Sequence, residues 1–409
     1  INDACSKILM AKFKLGLFEN PFVDLEKVED NIFTIEHQKT ALNIARKSIV
    51  LLENNEILPL KKQTRKKILV TGPNANNHSI LGDWTKPQPP KNVTTVFEGI
   101  KEIGNEYNYQ VDYYDSGENI RNITDENIKA TANKASEYDY IVLVVGDNSL
   151  RHLGFSLESG KTAGENMARA DINLAGNQLE LVKALNAVGK NLIVVYVNGK
   201  AIAEPWITDN VDVLIEAWEP GSFGGQAVAE IIFGDINPSG KLPVTFPRHV
   251  GQLQMIYNHK PSQYFKKYAF EKITPLYPFG YGLSYSDFDY SSMRINVYED
   301  DKMPHISIVV DIRNNSDIDG EEIAQLYFRD SISSVSRPVK ELVDYKRIYI
   351  PAGKTRTVQF TVPIEKLSFY DINMSQCVEP GEFVFMVGSS SSNDDLLVNP
   401  INIINRYDY

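Results

Sequence analysis

Cysteine is nearly missing: Cys5 and Cys377 are the only two, one near each end of the chain. Neither a disulfide framework nor a thiolate zinc cluster can be built from them. The six histidines, His37, His78, His152, His249, His259 and His305, are scattered with no pair at ligand spacing, so no metal site and no cofactor is expected. No apolar run reaches the roughly 18 residues that a membrane-spanning helix needs. Positive charge is in deficit, 42 Lys and Arg against 53 Asp and Glu, a net charge of −11. Affinity for nucleic acid comes mainly from clustered cations that release counterions, so nucleic acid is not an expected partner. The loops TGPNANN (71–77) and VGDNSLRHLG (145–154) lack both the G-x-G-x-x-G and the Walker spacing, and no G-x-S-x-G elbow exists. Nucleotide binding and serine-based acyl transfer are both disfavoured.

What is present is modular, since 409 residues exceed one ordinary core. Residues 1–60 read as a helix and linker. Ile8, Leu9, Ala11, Phe13 and Leu15 fall near helical spacing with Asp3 as N-cap, and a second helical pattern runs from Thr34 to Leu51. Residues 61–247 alternate β-branched runs with helical segments: ILVTGP (68–73), YIVLVVGDN (140–148), LIVVYVNG (192–199) and VLIEAW (213–218), with helices such as Asn177–Val188 and Gly225–Phe233 between them. Continuous apolar strands imply a sheet buried on both faces, and the strand-helix repetition implies parallel crossovers, an α/β sandwich. Residues 248–287 are polar, Tyr-rich and punctuated by Pro and Gly, and read as an interdomain strap. Residues 288–409 carry short alternating strands separated by turns such as NNSDIDG, PAGK and EPGE, the pattern of an all-β sandwich of about seven strands.

The most informative loop follows YIVLVVGDN, because open α/β sheets place ligands outside the carboxyl ends of their strands. From Asp147 to Asn173 it reads DNSLRHLGFSLESGKTAGENMARADIN, with Glu158, Glu165, Arg151, Arg169 and Asp171. A loop of that length in a compact domain is usually functional or disordered. Chemistry and placement alone leave its carboxylates as solvated charges.

Five parts of the chain carry a resemblance. GENMARADINLAGNQLELVKAL (164–185) resembles the G-E-x-x-x-R-x-x-[IL]-x-L-P-G-x-Q segment in the second domain of glycoside hydrolase family 3. GGQAVAEIIFGDINPSGKLPVTFP (224–247) matches the passage that closes that domain. PLYPFGYGLSYSDFDY (275–290) matches the family's strap, and EIAQLYFRD with SRPVKELVDYKRIYIPAG (336–353) resembles its fibronectin type III-like domain. KFKLGLFENPFVD (12–24) resembles the tail that follows the family's first domain. Members similar to this chain begin with a (β/α)8 barrel that supplies the nucleophilic aspartate, and none of it lies in these 409 residues.

The resemblance implies the part of a retaining β-glycosidase that follows its barrel, acting on β-glucosides first and β-xylosides next. A retaining mechanism needs two carboxylates about 5 to 5.5 Å apart, one attacking the anomeric carbon and the other serving as acid and then base. Glu165 matches the family's acid/base position, and a glutamate covered by a barrel would have its pKa raised toward the working pH. Gly160 and Gly164 would let its loop move. Glu158 is the rival acid. Arg169 would orient Glu165 or a sugar hydroxyl, or pair with Asp171 or Glu180. Trp84, in LGDW, is a candidate rim contact for a sugar face, while Trp206 and Trp218 read as core. The chain departs from the family's pattern at Ala175, where proline is usual, and at Asp147, where glutamate is usual. The implied partners are a β-linked saccharide and the barrel, with a homodimer left open; the implied location is periplasmic or secreted. Two other classes stay open: a noncatalytic carbohydrate-binding or scaffold module, and a nucleotide-binding α/β protein.

Overall fold

The computed structural model describes residues 1–62, 65–117, 119–150, 160–261, 268–298 and 304–409. Glu158, Arg151 and Tyr264 lie outside the described residues. The N-terminal segment forms α1 (Asn2–Lys14), α2 (Val28–Asn31) and α3 (Ile35–Ser48). Asp3 is not the cap: it sits in the first turn of α1 and pairs with Lys7 at 2.8 Å, the i,i+4 geometry that helices favour. Thr34 caps α3, its hydroxyl oxygen accepting from the His37 N–H. The second helical pattern stops at Ser48 rather than Leu51, because the β-branched pair Ile49 and Val50 turns the chain into β1 (Val50–Asn54).

The α/β layer continues with β2 (Lys67–Thr71), α4 (Val96–Glu106), β3 (Gln110–Tyr114), α5 (Asp125–Ala135), β4 (Tyr140–Gly146), α6 (Gln178–Asn186), β5 (Asn191–Val197), α7 (Pro205–Asn210), β6 (Val213–Glu216) and α8 (Gly224–Phe233). Its six strands run in the order β1-β6-β5-β4-β2-β3, parallel from β6 to β3, with β1 antiparallel on β6. Successive side chains alternate between two cores, as a sheet covered on both faces requires. Val142, Val144, Ile193 and Val195 join Val96 and Ile100 of α4 and Ile231 of α8. Ile141, Leu143, Leu192 and Val194 join Ile128 of α5 and Leu181 and Leu185 of α6. Helices α4 and α8 meet through glycine: a Cβ on Gly99 would lie 2.2 Å from the Gly225 carbonyl oxygen, so neither side can carry a larger residue at that crossing without the helices parting.

The strap pairs back on this layer. Gly280 and Phe246 N–H groups donate to Leu242 and Tyr277 carbonyls, and Leu283 N–H to that of Leu51 in β1. The remaining strands are β7 (Phe288–Tyr298), β8 (His305–Asn314), β9 (Gly320–Asp330), β10 (Glu341–Ile350), β11 (Thr355–Pro363), β12 (Phe369–Tyr370), β13 (Gln376–Val378), β14 (Gly381–Gly388), β15 (Leu396–Ile403) and β16 (Tyr407–Asp408). Sheets β10-β9-β14-β15 and β11-β8-β7 face each other over a core with Ile306, Ile308, Val310 and Ile312 from alternate positions of β8. The fold is thus an α/β sandwich followed by an all-β sandwich. Tyr257 joins the strap to the second of these, stacking on Phe279 of the strap at 4.3 Å and standing edge-on to Tyr327 of β9.

Candidate active site at the carboxyl edge of the sheet

Strand order reverses at β2, whose neighbours are β3 on one side and β4 on the other. At such a switch point the loops after adjacent strands diverge and leave a crevice. The loops following β2, β4, β5 and β6 meet there around a cleft of ≈ 380 Å³ lined by Asp83, Ser149, Gly164, Arg169, Lys200 and Glu219, among others. Asn74 stitches its floor, its side-chain amide donating to the Asp147 and Val197 carbonyls at the ends of β4 and β5.

Beneath the loop sits Asp147, 3% exposed. One carboxylate oxygen accepts from Arg169 Nη1 and Thr162 Oγ1, both at 2.9 Å, and the other from Lys200 Nζ. A buried carboxylate between two cations is compensated, whereas either cation alone beside a neutral residue would not be. The pair expected between Arg169 and Asp171 forms at 2.8 Å, and the same nitrogen also reaches the Asn173 carbonyl. Arg169 therefore lines the cleft with its guanidinium bonded to the loop's own base. Glu180 pairs instead with Lys183 on α6.

Glu165 stands exposed at the loop tip. Its N–H donates to Asp83 Oδ2 at 2.7 Å and its carbonyl accepts from Lys161 Nζ at 3.1 Å. Lys161 is fully buried, and its own carbonyl accepts twice from the Arg121 guanidinium. Gly164 holds φ +91°, and a Cβ there would come 2.7 Å from Asp83 Oδ2, so this turn admits only glycine without displacement. Trp84 lies in the loop after β2, largely exposed, its N–H donating to Asp83 Oδ1 at 2.8 Å. Trp206 and Trp218 pack against the core beneath the sheet.

Three residues of the cleft escaped the sequence reading: Asp83, Lys200 and Glu219. Each comes from a different loop, so no spacing could join them, although each follows a carboxyl strand end where ligand groups are expected. Glu219 accepts from the Ser149 hydroxyl, and burial pushes its carboxyl pKa up, helped by the negative charges of Asp83 and Asp147. Below it, Glu216 is wholly enclosed, accepting from the Asn198 amide and the Trp218 N–H. Burial raises its pKa to about 8 against the opposing effect of those donors. Elsewhere, Asp371, Cys377 and Glu379 bring ligand atoms within 4.8 Å of one another, but Arg406 occupies the cation's place, 2.9 Å from Asp371 and 3.6 Å from Glu379.

An α/β layer with a cleft at its switch-point loops, strapped to a β-sandwich, corresponds to two domains found together in a class of glycoside hydrolases. The sequence matches the model of the glycosyl hydrolase family 3 C-terminal domain over residues 49–285 and that of a fibronectin type III-like domain over 322–391. The chain belongs to glycoside hydrolase family 3. A β-xylosidase of Formosa agariphila is 37% identical over 97% of the chain and 54% of its own length, and a periplasmic β-glucosidase of Salmonella typhimurium is 33% identical over 96% and 54%. A β-glucosidase structure from Erythrobacter marinus superposes with TM-score 0.86 at 34% identity, covering 97% of this chain and 54% of that one. Another, of a β-glucosidase involved in saponin metabolism from intestinal bacteria, gives 0.89 at 32%, covering 98% and 59%. The chain thus spans about half the length of these relatives.

Proposed function

We propose that this chain is the C-terminal portion of a retaining, exo-acting β-glycosidase, with terminal β-linked glucose as its first substrate and β-xylosides next. Glu165 supplies the general acid/base, and an aspartate nucleophile comes from a (β/α)8 barrel on the preceding part of the protein. The observation that carries this reading is the position of Glu165: exposed on a loop that rims the switch-point cleft of a family 3 second domain. The N-terminal segment supports a missing neighbour. Helix α1 buries no residue, leaving Ile8, Leu9, Met10 and Phe13 in contact with solvent, an apolar surface that calls for a covering domain. A barrel laid over the cleft would desolvate Glu165 and favour its protonated form. Trp84, exposed in the loop after β2, stacks on a leaving-group sugar in this reading. The periplasmic relative supports a periplasmic or secreted location.

The test replaces Glu165 with Gln in the barrel-bearing protein. General acid catalysis contributes about a hundredfold to ten-thousandfold, so kcat/KM for alkyl glycosides falls by that order, while kcat/KM for activated aryl glycosides, whose departure needs no proton, is spared. Equal loss on both classes, or no loss on either, removes the assignment and favours the carbohydrate-binding module.

A further inference from the structure

We infer that Asp83 is the positioning residue for the acid/base loop, holding Glu165 in register from the far side of the cleft. This rests on the reading of Glu165 as the acid/base. Asp83 belongs to the loop after β2 and Glu165 to the loop after β4, the two strands that flank the crevice. The Asp83 carboxylate spans the gap at its tip: Oδ2 accepts the Glu165 N–H at 2.7 Å, and Oδ1 accepts the Trp84 N–H at 2.8 Å. One side chain therefore sets both the acid/base and the rim tryptophan. A hydrogen bond to an ionised acceptor is stronger than a neutral one and directional, so it fixes the backbone of Glu165 rather than merely attracting it.

Asp83 is itself braced from a third loop. Glu219, following β6, accepts a hydrogen bond from the Asp83 backbone and another from the Ser149 hydroxyl. Gly82 lies against the same carboxylate, where a Cβ would meet Glu219 Oε2 at 2.3 Å. The chain of contacts Ser149, Glu219, Asp83, Glu165 thus closes a ring over the cleft through the loops after β2, β4 and β6. At Gly164 the left-handed backbone brings the Glu165 N–H onto Asp83 without a side chain between. Asp83 does not face the reacting bond in this scheme. It acts through Glu165, by holding the carboxyl within the small displacement that proton transfer tolerates.

The inference is tested in the barrel-bearing protein with Asp83→Ala beside Glu165→Gln, each assayed on an alkyl β-glucoside and on a dinitrophenyl β-glucoside. Misplacing a catalytic group by about 1 Å costs on the order of a hundredfold. Asp83→Ala is therefore expected to lose about tenfold to a hundredfold in kcat/KM on the alkyl substrate and less than about threefold on the dinitrophenyl substrate. A merely structural role would lower both alike, and that result, or full activity on both, overturns the inference. If Glu165→Gln shows the selective loss and Asp83→Ala does not, the positioning role falls while the acid/base stands. If Glu165→Gln shows none, both fall. Should Asp83→Ala fail to fold, Gly164→Ala decides: it pushes the loop off Asp83 and is expected to give the same selective loss.

Discussion

The base of the loop that carries Glu165 and the exposed rim of the cleft are built in opposite ways. At the base, Asp147 is buried and met by Arg169, Lys200 and Thr162, and Asn74 bonds its carbonyl. At the rim, Glu165 and Asn166 of this loop and Trp84 of the loop after β2 are exposed, and both Asn166 and Trp84 hold left-handed backbone conformations that L-residues adopt at a cost. A rigid base and an open rim are what the proposed site, completed by a second surface, needs: the foundation is set before the cover arrives.

The contrast is broken most severely at the base. Replacing Asp147 with Ala leaves Lys200 without its buried partner and Arg169 with only the exposed Asp171, the case in which removing one partner of a buried ion pair costs about 3 to 5 kcal/mol. Urea unfolding should show a lower midpoint by that order; a loss under about 1 kcal/mol would mean that water screens the site and the base is not rigid.

A pH-dependent effect sharpens the same contrast one layer down. Glu216 is enclosed with its pKa raised to about 8, against 4.5 for an ordinary glutamate. Between these values the folded protein keeps the proton and the unfolded chain releases it, so this residue lowers stability as the pH rises, by about 1.4 kcal/mol per unit, and the effect levels off above the folded pKa. Glu216→Gln removes the titration. Its stability relative to the parent should climb from pH 5 to pH 8, measured by denaturant midpoints, whereas a constant difference across that range would show Glu216 to be ionised when folded.

Much of this was legible from the residues. Strands β4 and β5 announce themselves because burial on both faces leaves unbroken runs such as YIVLVVG and NLIVVYV. Strand β3, QVDYY, was not seen, since its half-exposed position at the sheet edge mixes polar and apolar residues, and β1 was hidden at the end of a helical pattern. Strand β15, LLVNPINI, carries an Asn and a Pro that argue against a strand until it is placed at the edge of its sheet. At the site, Glu165 and Arg169 stood out through loop length and resemblance. Asp83, Lys200 and Glu219 did not, because only the strand order that sets β2 beside β4, and β4 beside β5, brings their loops together.

The central claim is that Glu165 is the acid/base of a retaining site whose nucleophile lies on another domain. Its most direct test is azide rescue of Glu165→Ala in the barrel-bearing protein with a dinitrophenyl β-glucoside. Removing the base stalls the glycosyl-enzyme, and a small anion that needs no deprotonation can take the place of water. The account predicts that azide accelerates turnover and that the product is β-glucosyl azide. A variant that turns over normally without azide, or one that forms no azide adduct, would contradict it.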